Sequence, residues 1–123
     1  MSINPDKFKG TKQYLLVYCE LIQAARTRTY LSYSEIAQIM GLPPSGNYMA
    51  KEIGAMLGEI SGDEVSQGRP MLSVLAKSKN LPRPGKGFFV LAKQMGIYKG
   101  EGEEEEKRFW EETCEAVYST WKD

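Results

Sequence analysis

Between Thr11 and Arg26, Tyr14, Tyr18, Leu21 and Ala25 recur at helical spacing, and Leu15 and Ile22 widen the stripe. The period predicts a helix with one face in a core, which makes the tyrosines packing residues. The connector Arg26-Thr-Arg28-Thr-Tyr30 follows. Its arginines fall where the negative end of the helix dipole favours cations. Ser32 and Glu35 then have capping-box spacing: the hydroxyl accepts from the Glu35 N–H, and the carboxylate returns to the Ser32 N–H. Leu31 and Ile36 are placed as the hydrophobic staple. Gly41 supplies a left-handed stop, and Pro43 and Pro44 bar continuation. A short helix from Tyr33 to Met40 is therefore expected, with Ile36, Ile39 and Met40 inward.

Beyond the turn at 43–47, Met49, Ile53, Met56, Leu57 and Ile60 form a third buried stripe. Ser45 or Asn47 is its expected cap. Tyr48, Lys51, Glu52, Ala55 and Glu59 fall on its other faces. Gly54 and Gly58 each cost about 1 kcal/mol against Ala in a helix interior, and close helix packing is the expected reason for Gly54. Ser61 to Glu64 reads as a loop. Leu72, Val74 and Ala76 alternate with Met71, Ser73, Leu75 and Lys77, the pattern of a short strand. Ser78 to Gly87 is rich in turn residues and stiffened by Pro82 and Pro84, so it predicts a basic projecting loop. Phe88 to Met95 reads as a helix packing Phe89, Leu91 or Ala92, and Met95. A last helix starts in Glu103 to Glu106, where negative charge suits the dipole. Trp110, Thr113 or Cys114, Val117 or Tyr118, and Trp121 are its docking stripe.

The elements add up to a mainly α fold with a small β element, of the α+β class. The expected organisation is a flexible lead-in at 1–10 and a winged helix-turn-helix-like domain at 11–100. An acidic-start C-terminal helix at 101–123 docks on that same domain.

A chain of 123 residues can build a core without disulfides. It contains no histidine, which excludes a Ser-His-Asp triad, a Cys-His pair and imidazole metal ligands. No spaced carboxylate set for a metal appears outside the acidic run, and nothing positive supports a carboxylate- or lysine-centred enzyme. A non-catalytic protein without cofactor or metal is the expectation, and no small-molecule substrate is evident. No apolar run approaches the roughly 18 residues of a membrane span, and the N-terminal stretch lacks a signal peptide's apolar segment. Cys19 and Cys114 then read as buried free thiols in a reducing cytoplasm. The zero net charge conceals a split, with residues 65–100 at +7 and residues 101–123 at −6. That distribution gives a basic surface and an acidic one, or two halves that face each other.

Ser32-Tyr33-Ser34-Glu35-Ile36-Ala37 and Ala50-Lys51-Glu52-Ile53-Gly54-Ala55-Met56-Leu57 resemble two motifs of one family. They are Thr-Tyr-Gly-Glu-Ile-Ala and Ala-Arg-Ala-Val-Gly-x-Ala-Leu, from the DNA-binding half of the DNA-protein cysteine alkyltransferases and alkyltransferase-like proteins. The resemblance covers about residues 30–90. It implies a phosphate contact for Tyr33 and, for Lys51, the place of the arginine that enters the base stack. An ammonium is a point charge that cannot stack as a guanidinium does, so phosphate contact suits Lys51 better. The family's Pro-Cys-His-Arg site has no counterpart near Val74 to Lys77, which excludes alkyl transfer.

The expected function is a small DNA-binding protein using a helix-turn-helix and a wing-like loop for phosphate and shape recognition. Its candidate contacts are Tyr33, Ser45, Asn47, Tyr48, Lys51, Lys77, Lys79, Arg83 and Lys86, with double-stranded DNA as partner. Glu52 and Glu59 oppose this reading by repelling phosphate. The alternative is a protein-interaction module on the same frame: an adaptor, or a phage or mobile-element inhibitor or regulator. Its partner would be met by the basic loop or by an open Trp110/Trp121 face.

Overall fold

A computed structural model describes residues 7–78, 80–81 and 83–122. The chain is mainly helical: α1 (Lys12–Arg26), β1 (Leu31–Ser32), α2 (Tyr33–Met40), α3 (Asn47–Ser66), a 3₁₀ turn (Leu72–Leu75), β2 (Ala76–Lys77), α4 (Lys86–Gln94) and α5 (Glu103–Trp121). The strands pair in parallel, with Leu31 opposite Ala76 and Ser32 opposite Lys77. Among the described residues no further strand joins this pair.

Local chemistry sets the ends of α2 as the sequence predicts. Both arms of the Ser32/Glu35 capping box form, and Gly41 ends the helix in the left-handed region at φ +71°. The inward residues are Ile36 and Ala37, while Ile39 and Met40 are half-buried. In α1, Thr11 caps the helix by accepting from the Tyr14 N–H. Its buried face is Tyr14, Val17, Leu21, Ala24 and Ala25. Leu15, read as part of the stripe, is 63% exposed.

Helix α3 extends through Ser61–Glu64, where a loop is expected, to Ser66. Each polar residue there has a partner distant in sequence. Ser61 donates to Ser73 Oγ at 2.6 Å. Asp63 accepts from the Tyr14 hydroxyl and from Lys9 Nζ at 3.1 Å. Glu64, fully buried, accepts from the Tyr18 hydroxyl and from Arg69 at 2.9 to 3.0 Å. The helix stops where Gly68 reaches φ +77°. Burial, reinforced by the hydrogen bond to a carboxylate, raises both tyrosines well above the ordinary tyrosine range. At Asp63 burial acts upward, but the hydrogen bonds from Tyr14 and Lys9 outweigh it and hold the carboxyl below its usual range.

The predicted strand at 71–77 is a 3₁₀ turn followed by the short β2, and all of Met71–Ala76 is buried. The segment runs between α1, α3 and α5, so both of its faces meet protein, and alternation carries no inside-outside meaning. Ser73 is accommodated because its N–H donates to Ser61 Oγ at 3.2 Å.

Helix α5 buries Thr113 and Val117, and half-buried Trp110, Cys114, Tyr118 and Trp121 pack on the core. Arg28 lies past the end of α1 rather than acting as a dipole cation. It turns the chain at φ +56°, donates to both Glu115 oxygens at 2.7 and 3.0 Å, and sits 4.6 Å over the Tyr118 ring. Residues 7–9, read as lead-in, are tied to α3. No helix among the described residues is long and apolar enough to cross a membrane.

Arg69 is 35% exposed while its partner Glu64 is fully buried. Arg69→Ala leaves that carboxylate with Tyr18 as its remaining donor. The expected loss is about 3 kcal/mol, at the low end for an orphaned buried charge because water reaches the site. Urea denaturation of variant and parent measures it.

Candidate nucleic-acid interface

The two polar sides of α3 have different fates. Lys7 Nζ meets both Glu52 oxygens at 2.7 Å, and Glu52 is buried instead of standing on an open face. The Glu59 carboxylate accepts from the backbone N–H groups of Lys7, Phe8 and Lys9, each at 2.9 Å. Converging backbone amides of this kind make an anion-binding concavity. With Asp63 held by Lys9 and Tyr14, the acids of α3 are engaged along one side. The exposed residues of the helix are Asn47, Tyr48, Ala50, Lys51, Gly54 and Ser66, so its open face carries no carboxylate. At 3.6 residues per turn, Glu52, Glu59 and Asp63 lie roughly half a turn from Ala50, Gly54 and Leu57. Glu52 is thus paired with the Lys7 ammonium and Glu59 hydrogen-bonded to backbone amides, both on the side of α3 away from Ala50 and Gly54.

Tyr33, half-buried at the start of α2, accepts from the Gly85 N–H at 3.1 Å and so fixes the end of the 78–85 loop. A hydroxyl that accepts once can still donate. Neither Ser45 nor Asn47 caps α3: Gly46 is the N-cap, at φ +102°, and no side chain closes the helix end. Ser45 is exposed in the turn, Asn47 is exposed at the first position of α3, and Tyr48 is 61% exposed. Lys51 on α3 and Lys86 at the first position of α4 are exposed, and Arg83 is half-buried in the loop.

Tyr33, Ala50, Gly54, Gly87 and Phe88 line one cleft between α3 and α4. The structure therefore brings the elements carrying Tyr33, Lys51 and Lys86 to a common place, with Arg83 just before the Tyr33-bound Gly85. Lys77 goes elsewhere. Half-buried in β2, it sits with Nζ 4.0 Å over the Tyr30 ring and acts electrostatically on Cys114 of α5. Lys79 lies outside the described residues.

Gly54 does not mediate close helix packing. A Cβ built there meets no atom within 4 Å, and the residue lines the cleft. Sequence reasoning missed the cleft itself, although an interior helical glycine was its visible sign. Trp110 and Trp121, proposed as an open face, are half-buried against the core, and Arg69 covers Trp121 at 5.5 Å. The cysteines also differ from their expected burial: Cys19 is exposed and Cys114 intermediate. Among the described residues no group of His, Cys, Asp or Glu is placed to hold a metal ion.

Two outcomes check this geometry. Gly54→Ala gains helix propensity without a clash, so it should stabilise the chain by up to about 1 kcal/mol in urea titrations. Burial pushes the Cys114 thiol up to about 11, keeping it protonated at about pH 8, and the thiolate is the reactive form. Iodoacetamide at that pH should modify Cys19 first, with Cys114 following only as the pH rises toward its raised value; peptide mass spectrometry gives the order. Compared with known family models, curated proteins and solved structures, the chain matches none of them.

Proposed function

We propose that the chain is a small, non-catalytic DNA-binding protein. In this reading α2 and α3 act as the helix-turn-helix, and the loop before α4 serves as a wing-like backbone contact. The observation that carries the proposal is the open face of α3, where Asn47, Tyr48, Ala50, Lys51 and Gly54 are exposed without a carboxylate among them. The small residues let the helix backbone approach closely, and Lys51, Arg83 and Lys86 supply cations for phosphates. Tyr33 keeps a hydroxyl proton for another. Few of these side chains suit bidentate recognition of base edges, so phosphate positioning and duplex shape dominate, with weak sequence preference.

A fluorescence-anisotropy titration of duplex DNA over a salt series tests the proposal. With about four phosphate contacts, the logarithm of affinity should fall with the logarithm of salt concentration at a slope near −3 to −4. Lys51→Ala should weaken binding uniformly across sequences and make the slope shallower by about 1. No binding at about 50 mM salt sinks the proposal, since the electrostatic contribution is largest there. A protein-interaction module remains the second reading. Leu15 and Leu16, 63% and 42% exposed on α1 beside exposed Cys19, favour it, and a flat DNA titration would direct attention to that face.

A further inference from the structure

The cleft between α3 and α4 encloses about 480 Å³, the size range of small-molecule sites. Met49, Ile53 and Leu57 line it from α3, and Phe88, Val90 and Leu91 from α4. Its polar lining groups are largely committed inside the protein. The Tyr33 hydroxyl accepts from the Gly85 N–H and keeps its proton to donate, and Ser73 Oγ accepts from Ser61, which leaves the Tyr33 proton and the Gln94 amide. Gly54 and Gly87 open the two walls. A Cβ at either would meet no protein atom within 4 Å, so a flat group can lie against bare backbone there, near the Tyr33 and Phe88 rings. No acid is among the lining residues. The exposed Lys51 and Lys86 adjoin lining residues Ala50 and Gly87 in sequence, and Glu52 and Glu59 are held about half a turn away.

We propose that this cleft binds an aromatic organic anion: a planar hydrocarbon ring system bearing a carboxylate, sulfonate or phosphate. The ring is held by the apolar walls, where quadrupole contacts with aromatic side chains add to burial. Lys51 and Lys86 select the anionic substituent by charge complementarity. A heterocycle rich in ring N–H and C=O groups is disfavoured, because Tyr33 and Gln94 are too few to match them all and an unpaired buried polar group is unfavourable. The inference uses residues that the DNA reading also uses, among them Lys51, Lys86 and Gly54, but it stands or falls on its own titration.

The test uses a matched pair, 2-naphthoate and the neutral 2-naphthalenemethanol, titrated into the full chain by calorimetry and by backbone NMR. Naphthoate is expected to bind with a Kd of about 100 μM or tighter, within reach of a ligand of this size. It should shift the Gly54, Gly87 and Leu91 amides, and the alcohol should bind about 5- to 10-fold more weakly. The Lys51→Gln/Lys86→Gln double variant should remove the preference for the acid while leaving the alcohol unchanged. Gly54→Leu projects a side chain into the cleft from a helix that leucine favours. It should raise the thermal midpoint and weaken both ligands at least about tenfold, so loss of binding there is not loss of fold. The proposal is overturned by no binding of either ligand at about 1 mM, by equal affinity for acid and alcohol, or by wild-type affinity in a folded Gly54→Leu chain. A failed DNA titration leaves all three readouts intact.

Discussion

Residues 71–76 cross the centre of the molecule without the full hydrogen-bond ladder of a helix or a sheet, and this constraint shapes what surrounds them. Buried backbone polar groups need partners, and the segment finds several kinds. Val74 donates to the Met71 carbonyl at 3.2 Å, Ser73 to Ser61 Oγ, and Ala76 and Lys77 pair with β1. Helices α1, α3 and α5 close over the segment. That enclosure explains why α3 must be long enough to bring Ser61 into reach, and why Ser61 and Ser73 tolerate burial at 0% and 4% exposure.

The same length of α3 creates an electrostatic problem that the chain resolves with its own N-terminal segment. A helix carrying Glu52, Glu59 and Asp63 on one side would present a negative ridge there, and Glu64 adds a fully buried carboxylate. Lys7, Lys9, Tyr14, Tyr18, Arg69 and the backbone amides of residues 7–9 take up those four carboxylates. The helix is left with an acid-free open face beside the cleft. The net charge of zero therefore says little about either surface, because charges are sorted by position.

What could be read from the sequence follows the range of the interaction responsible. The Ser32/Glu35 box, the Gly41 stop and the acidic start of α5 act over a few residues, so their side chains announce them. The extent of α3 is invisible locally, because Asp63 and Glu64 resemble loop residues until Tyr14, Tyr18 and Arg69 are brought to them. The phase of α1 misleads for a related reason: its tyrosines reach over to α3 with their hydroxyls, so the centre of the buried face falls on Val17 and Leu21 instead of Leu15. For the candidate site, Tyr33, Lys51, Arg83 and Lys86 come from segments whose residue types suggest phosphate contact. The cleft between them depends on where α4 lies across from α3, which no local pattern encodes, and Lys77 is drawn away by Tyr30 and α5.

Arg28 holds a left-handed backbone that costs a non-glycine residue about 1 kcal/mol, and what steadies it lies on α5: Glu115 and the Tyr118 ring. The Tyr118 hydroxyl also donates to the Thr29 carbonyl at 3.4 Å, and Val117 is fully buried in the core. During synthesis α5 leaves the ribosome after every element it packs against. The turn that delivers β1 to its partner has its own bonds to the end of α1, from the Arg28 N–H to the Ala25 carbonyl and from the Thr29 N–H to the Ala24 carbonyl, but it gains Glu115 and Tyr118 only once α5 has emerged. In vectorial synthesis the α5 contacts of this turn are therefore among the later ones to form.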